Sequence, residues 1–258
     1  MANKQTFPFL LIWDFDHTIV DDNTDTWYCS NLAPELRPLY ERKGKPPFEC
    51  WIDLMDDHMR QLHITGYSST KILNCFHSIP MAPEISEAII SANAAGATQY
   101  ILSNSNTLFI KESLMGKGLT TFFPPERVIT NPAYVDKDTD RIHIMRYQSQ
   151  EIPHRCSTCE ANLCKGVVLC KLREAHPDAS IIYFGDGSND LCPTSLLGPN
   201  DIVFAREGET FSLGALWRAR LLDNHHRSPC VSPCVSPRVY FWTTGAQLLE
   251  QLCPLLIS

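Results

Sequence analysis

Three times along the chain an apolar run stops abruptly at a short cluster of acids, hydroxyls or amides, with helix-patterned sequence in between. Residues 10–15 run into Asp14-Phe15-Asp16-His17-Thr18, residues 99–103 into Ser103-Asn104-Ser105-Asn106, and residues 180–185 into Gly185-Asp186-Gly187-Ser188-Asn189-Asp190. Runs that are apolar throughout, rather than alternating, suit strands covered on both faces, and their alternation with helices predicts a doubly wound α/β fold around a parallel sheet. Residues 202–205 and 239–242 supply two more strands. One sheet-covering helix starts at Pro83, carries Ile85, Ala88, Ile89 and Ala92 at helical spacing and stops at Gly96. Another is expected through Leu163, Val167 and Cys170.

Between the first strand and Pro83 no strand pattern is found, but Trp51, Ile52, Met55 and Met59, and then Ile72, Leu73 and Phe76, cluster at helical spacing. The expected organisation is therefore a catalytic core of residues 1–22 and 83–258, with a small helical insertion at 23–82. Residues 131–155 read as a loop or hairpin, and the Ser-Pro-Cys-Val, Ser-Pro-Cys-Val, Ser-Pro-Arg-Val segment at 228–239 as a mobile loop, because prolines at four-residue spacing forbid a helix.

Composition narrows the function classes. A chain of 258 residues, 44% hydrophobic and 20% charged, can bury a sizeable core. A net charge of -7 argues against the broad basic surface that gathers nucleic acid or anionic lipid. The apolar run at 7–13 is too short for a signal segment and leads straight into acids. Nothing approaches the roughly 18 apolar residues of a membrane span. The expectation is a cytoplasmic protein, with its eleven cysteines, an odd number, held as reduced thiols.

In open parallel sheets ligands bind at the carboxyl ends of the strands, where all three polar clusters fall. Asp14 and Asp16 can face one cavity there, and Asp186 and Asp190 can approach from another strand through a turn loosened by Gly187. Acids packed so closely stay ionised beside a hard cation, so an oxygen-lined Mg²⁺ site follows. Lys165, at the start of the helix before the third strand, could balance the acids and hold a phosphate.

These motifs, in this order, resemble those of the haloacid dehalogenase superfamily: Asp14-Phe15-Asp16-His17-Thr18 its first, Ser103 its second, Lys165 its third, and the segment from Gly185 to Asp190 its fourth. Within it, the phrase from Asp14 to Trp27, His154-Arg155-Cys156 through Cys159 to Ala161-Asn162-Leu163-Cys164-Lys165, Asn131-Pro132-Ala133 and Trp242-Thr243-Thr244-Gly245 are similar to the phosphoethanolamine/phosphocholine and pyridoxal phosphate phosphatases. The resemblance implies a Mg²⁺-dependent phosphatase acting on a small phosphomonoester. Asp14 would be the nucleophile and Asp16 the acid and base. Mg²⁺ would be held by the carboxylates of Asp14 and Asp186 and the backbone carbonyl of Asp16, with Asp190 in support. Ser103, Asn104 and Lys165 would meet the phosphate, Asp25 the rest of the substrate, and the insertion at 23–82 would act as a cap. Asn104 departs from the pattern, since relatives commonly carry an acid there, which tilts the expectation from phosphoethanolamine or phosphocholine toward pyridoxal 5′-phosphate. Pyrophosphate and thiamine monophosphate remain alternatives, and the physiological substrate and oligomeric state stay open.

Two rival readings fit the residues less well. A receiver-type signalling domain places acids, a hydroxyl and a lysine similarly but lacks an acid at the position of Asp16, and an inactive binding module would have lost one of the charged groups. His154, Cys156, Cys159 and Cys164 have spacing that could hold zinc, but the second half of the usual paired arrangement is missing, so packed thiols are the expectation. His225, His226, Cys230 and Cys234 fall in the expected loop, and His17 reads as a loop histidine.

Overall fold

The structure, a computed structural model, describes residues 9–149, 151–225 and 236–257. Its strands are β1 (Phe9–Trp13), β2 (Thr98–Asn106), β3 (Val128–Asn131), β4 (Ala133–Val135), β5 (Ile142–Ile144), β6 (Ser180–Gly185), β7 (Ile202–Arg206) and β8 (Arg238–Trp242). The α-helices are α1 (Thr24–Asn31), α2 (Trp51–Ile64), α3 (Ser69–Asn74), α4 (Pro83–Ala94), α5 (Thr107–Gly116), α6 (Lys165–Ala175), α7 (Leu191–Thr194), α8 (Leu213–His225) and α9 (Gly245–Ile257). Short 3₁₀ segments, Pro34–Arg42 and Cys75–Ser78 among them, join these. Among the described residues no helix is long and apolar enough to cross a membrane.

A six-stranded sheet has the order β3-β2-β1-β6-β7-β8, and β1 pairs in parallel with both β2 and β6. This is the expected doubly wound α/β sheet. The chain leaves β1 toward β2 on one side and β6 toward β7 on the other, so the strand order reverses between β1 and β6. Crevices for ligands open at such a reversal.

By packing the chain forms two units, residues 1–19, 81–101 and 165–258, and residues 20–80 and 102–164. In the first, β1 is buried along Leu10, Leu11, Ile12 and Trp13, which is why its sequence is a continuous apolar run. Parallel register aligns Trp13 with Phe184, Phe184 with Phe204 and Phe204 with Tyr240, and their rings stack with centroids 3.7, 4.9 and 5.1 Å apart. Each such pair is worth about 0.5–1.5 kcal/mol beyond its buried area, so the row fixes the register that places the following residues, Asp14 and Gly185. The helix begun by Pro83 buries Ile85, Ala88, Ile89 and Ala92 as its spacing required and packs against α9.

The second unit has its own core, in which Tyr28, Met55, Met59 and Phe76 from the 23–82 region meet Phe109, Ile142 and Ile144. The β4/β5 hairpin answers the hairpin expectation for 131–155, and polar ties hold it to α2. Arg141 Nη2 lies 2.5 Å from Asp56 Oδ2, the amide of Ile144 donates to Asp56 Oδ1 at 3.0 Å, and Arg146 pairs with Asp53.

Several boundaries move. The first strand ends at Trp13 rather than residue 15, because the amide of Phe15 folds back onto Asp14 Oδ1 at 2.7 Å. The helix expected through Leu163 starts at Lys165, and Leu163 and Cys164 are buried in the irregular strap before it. His225 closes α8 instead of lying in a loop, whereas the repeat segment through residue 235, with His226, Cys230 and Cys234, lies outside the described residues.

Candidate active site

At the strand reversal of the first unit, Asp14 follows β1 directly and Asp186 follows β6 directly. Carboxylate oxygens of Asp14, Asp186 and Asp190 all lie within 4.8 Å of one another. Lys165, the first residue of α6, reaches in with its ammonium 2.7 Å from Asp14 Oδ1 and 2.8 Å from Asp190 Oδ1, although its side chain is only 1% exposed. Of the residues expected in the site, the structure thus brings Asp14, Lys165, Asp186 and Asp190 together.

Asp190 is satisfied at every acceptor position. Lys165 and the Tyr183 hydroxyl donate to Oδ1 at 2.8 and 2.7 Å, and the amides of Asp186 and Gly187 donate to Oδ2 at 3.1 and 3.3 Å. A side chain at Gly185 would place its Cβ 2.5 Å from the Asp190 carboxylate, which explains the glycine by close approach. Asp14 differs: among the described residues, Lys165 and the amide of Phe15 both meet its side chain on Oδ1.

Burial, and after it the neighbouring Asp190, raise the Asp14 carboxyl well above the ordinary range, with Lys165 opposing. Burial and Asp190 push Asp186 up to about 6. Burial would lower Lys165, but Asp14 and Asp190 outweigh it and hold the ammonium protonated. One cation thus faces three crowded carboxylates. Oxygen donors with an excess of negative charge fit Mg²⁺, a hard cation that takes carboxylate and water ligands.

Asp16 is half-buried in the loop beyond β1. The next residue, His17, takes a left-handed backbone with φ 52°, and its carbonyl accepts from the Arg206 guanidinium at the end of β7. His17 is a loop residue, as expected, with its backbone pinned by Arg206.

Ser103, Asn104 and Asp25 belong to the second unit. Ser103 is buried within β2, and its Oγ accepts from the amide of Ser105 at 3.1 Å, which leaves the hydroxyl proton to donate elsewhere. Asn131 ties this stretch down, donating to the carbonyls of Asn104 and Ser105 at 2.6 and 2.8 Å. Asn162 Nδ2 in turn donates to Asn131 Oδ1 at 2.8 Å. Asp25 is buried near the start of α1, where its Oδ2 accepts from the Trp51 indole at 2.5 Å and its carbonyl from the Tyr40 hydroxyl at 2.7 Å. Burial outweighs the Trp51 hydrogen bond and lifts Asp25 to about 6.

Four participants had no assigned role from sequence: Tyr183, Asn162, Trp51 and Arg206. Tyr183 and Trp51 read only as apolar pattern members, and the missed signal was that a buried tyrosine or tryptophan needs a partner for its polar atom. Arg206 ends an apolar strand with a charge, as Trp13-Asp14 does, and that was the available hint.

Comparison with known proteins agrees with this geometry. The profile of the family described as Putative Phosphatase matches residues 9–256. A pyridoxal phosphate phosphatase of Mus musculus is 30% identical over 250 residues, covering 94% of this chain and 96% of its own. A thiamine phosphate phosphatase-like protein of Arabidopsis thaliana is 34% identical over 203 residues, covering 76% of this chain and 80% of its own. The solved phosphoserine phosphatase of T. onnurineus shares the fold, with a TM-score of 0.53, 13% identity and 98% coverage of both chains. The chain therefore belongs to the Putative Phosphatase family, a haloacid dehalogenase-type group of phosphoric monoester hydrolases.

Proposed function

We propose that this enzyme hydrolyses a small phosphomonoester, with a preference for pyridoxal 5′-phosphate, in two steps through a phosphoryl group carried on Asp14. The observation that carries the mechanism is the Asp14 carboxylate, held by Lys165 through one oxygen, among Asp186 and Asp190 at the strand reversal. Lys165 opposes the burial that favours a protonated Asp14, and in the ionised carboxylate Oδ2 attacks phosphorus as the ester P–O bond breaks. Asp16 gives a proton to the leaving oxygen, then takes one from the water that attacks the aspartyl phosphate, releasing inorganic phosphate and restoring Asp14. Asp14 and Asp186, with the Asp16 carbonyl, would hold Mg²⁺, which when bound offsets the negative charge of phosphate and carboxylates. Asp190, its acceptor positions occupied, supports by orienting Lys165 and the 186–187 backbone. The Ser103 hydroxyl and Lys165 grip the phosphoryl oxygens, beside Asn104.

Residues 23–82 serve as the cap, and Asp25 faces the leaving group. The stacked rings of Tyr40 and Trp51, with centroids 5.7 Å apart beside Asp25, suit a flat heterocycle better than a small aminoalcohol. Asn104, a neutral amide where the resemblance implies an acid, points the same way. Both relatives described above are named for phosphates of heterocyclic compounds, which supports this choice. The enzyme is assigned to the cytoplasm, with neither nucleic acid nor membrane as a partner, on its acidic charge and odd cysteine count.

The test is phosphate release from pyridoxal 5′-phosphate, thiamine monophosphate, phosphoethanolamine, phosphocholine and pyrophosphate, with Mg²⁺ and with EDTA. Mg²⁺-dependent turnover highest on pyridoxal 5′-phosphate is expected. Ca²⁺ should inhibit, because its looser coordination can engage both Asp14 oxygens. Full activity in metal-free buffer would reject the metal assignment, and a clear preference for phosphocholine would reject the substrate.

A further inference from the structure

The strap between β5 and α6 poses a problem that the phosphatase reaction does not answer. Among its described residues from 145 to 164 there is no helix or strand, and Met145, Tyr147 and Ile152 are exposed, so ahead of Leu163 little apolar burial offsets the cost of ordering it. Asn162 secures one point by accepting from the amide of Tyr147 at 2.9 Å. Its later part gathers around sulfur. The Sγ atoms of Cys156, Cys159 and Cys164 lie within 4.8 Å of one another, and none of the three is in a disulfide. His154, the other donor suggested by the spacing, is committed elsewhere: Nε2 donates to the Glu160 carbonyl at 2.7 Å and Nδ1 accepts from the amide of Cys156 at 3.3 Å.

The geometry points to a structural zinc site in which Cys156, Cys159 and Cys164 are three of four tetrahedral ligands, the fourth being a further donor or water. Zinc–sulfur bonds of about 2.3 Å place tetrahedral sulfurs just under 4 Å apart, the scale on which these three already converge. Thiolates select a soft or borderline ion over Mg²⁺, so this site and the carboxylate site hold different metals. The His154 bonds brace the loop that presents Cys156 and Cys159, as hydrogen bonds behind the ligands of metal sites commonly do. Cys164 is the residue directly before Lys165, so a zinc ion here pins the chain one residue ahead of the ammonium that holds Asp14. Uptake exchanges thiol protons for the ion, and the protons pass to the buffer.

The whole protein is supplied with zinc, exchanged into buffer with a weak chelator and weighed by native mass spectrometry. One zinc per chain is expected, lost in the Cys156→Ser/Cys159→Ser double variant and retained in Cys170→Ser, which changes an exposed cysteine on α6. A wild-type chain without zinc, or a double variant that keeps it, overturns the site. Because the double variant could fail to fold, Co²⁺ is also titrated into wild type. Strong sulfur-to-cobalt charge-transfer absorption is expected at one equivalent, and its absence overturns the site as well. Neither measurement uses turnover, so both outcomes are independent of the phosphatase reading.

Discussion

The acid edge of the first unit and the surroundings of Asp25 in the second both bury carboxylates, but they compensate them differently. Asp190 accepts four hydrogen bonds, from Lys165, Tyr183 and two backbone amides, whereas the Asp25 side chain has the Trp51 indole and a pKa lifted to about 6 by burial. A charge fully met by fixed donors is a permanent part of the scaffold. One that is met incompletely can still change its protonation when a ligand arrives. The first arrangement suits groups that must hold a reacting phosphate in place, and the second suits a residue that reads the leaving group.

Removing the compensation at the acid edge should have the largest effect. Lys165→Met strands Asp14 and Asp190 without their cation, and losing one partner of a buried charge cluster costs about 3–5 kcal/mol. Urea melts in EDTA at pH 7 should show this loss, together with loss of turnover. Because burial already raises Asp14, the variant can neutralise that carboxyl by taking up a proton, so the deficit should shrink as pH falls toward 4. A deficit independent of pH would mean that the lysine acts by packing alone.

At Asp25 the sign is reversed. A carboxyl whose folded pKa lies above its unfolded value stabilises fully below the unfolded value near 3.8, and that contribution is lost as pH rises through about 6. Asp25→Asn keeps an acceptor for Trp51 and removes the titration. Its stability relative to wild type should therefore improve between pH 4 and pH 7 by about 1–3 kcal/mol, read from paired thermal or urea melts. A flat difference would show that Asp25 is as well compensated as Asp190, and the contrast between the two regions would fail.

The smallest effect concerns substrate choice. Asn104→Asp places a carboxylate beside Ser103, and should raise kcat/KM for phosphoethanolamine relative to pyridoxal 5′-phosphate about tenfold, or roughly 1.4 kcal/mol in the transition state. An unchanged ratio would remove residue 104 from the reading of the leaving group.

The same contrast explains what could be read from the sequence. The acid edge was legible because parallel strands buried on both faces are apolar until they stop, so Asp14 and Asp186 stand out, and β6 was bounded correctly at 180–185. The second unit was less legible because polar residues do its structural work. Ser103, Asn104, Ser105 and Asn106 look like a loop, yet they continue β2. There Thr130 donates to the Ser105 carbonyl at 2.7 Å and the Thr24 and Ser105 hydroxyls meet at 2.6 Å. Those partners come from residues far away in sequence, which no local pattern reveals. For the same reason β3 and the Asn131–Asn162 tie went unread, and His154 looked available for metal until its two backbone contacts were seen.

The central claim is that the carboxylate of Asp14 itself takes the phosphoryl group. Its most direct test is steady-state turnover of an aryl phosphate, with Mg²⁺, by Asp14→Asn beside wild type. The substitution is nearly isosteric and keeps an oxygen toward Lys165 but lacks the nucleophilic charge. Turnover should fall by at least about a thousandfold, or roughly 4 kcal/mol in the barrier, with the fold retained by circular dichroism. A folded Asp14→Asn variant with turnover near that of wild type would contradict the account.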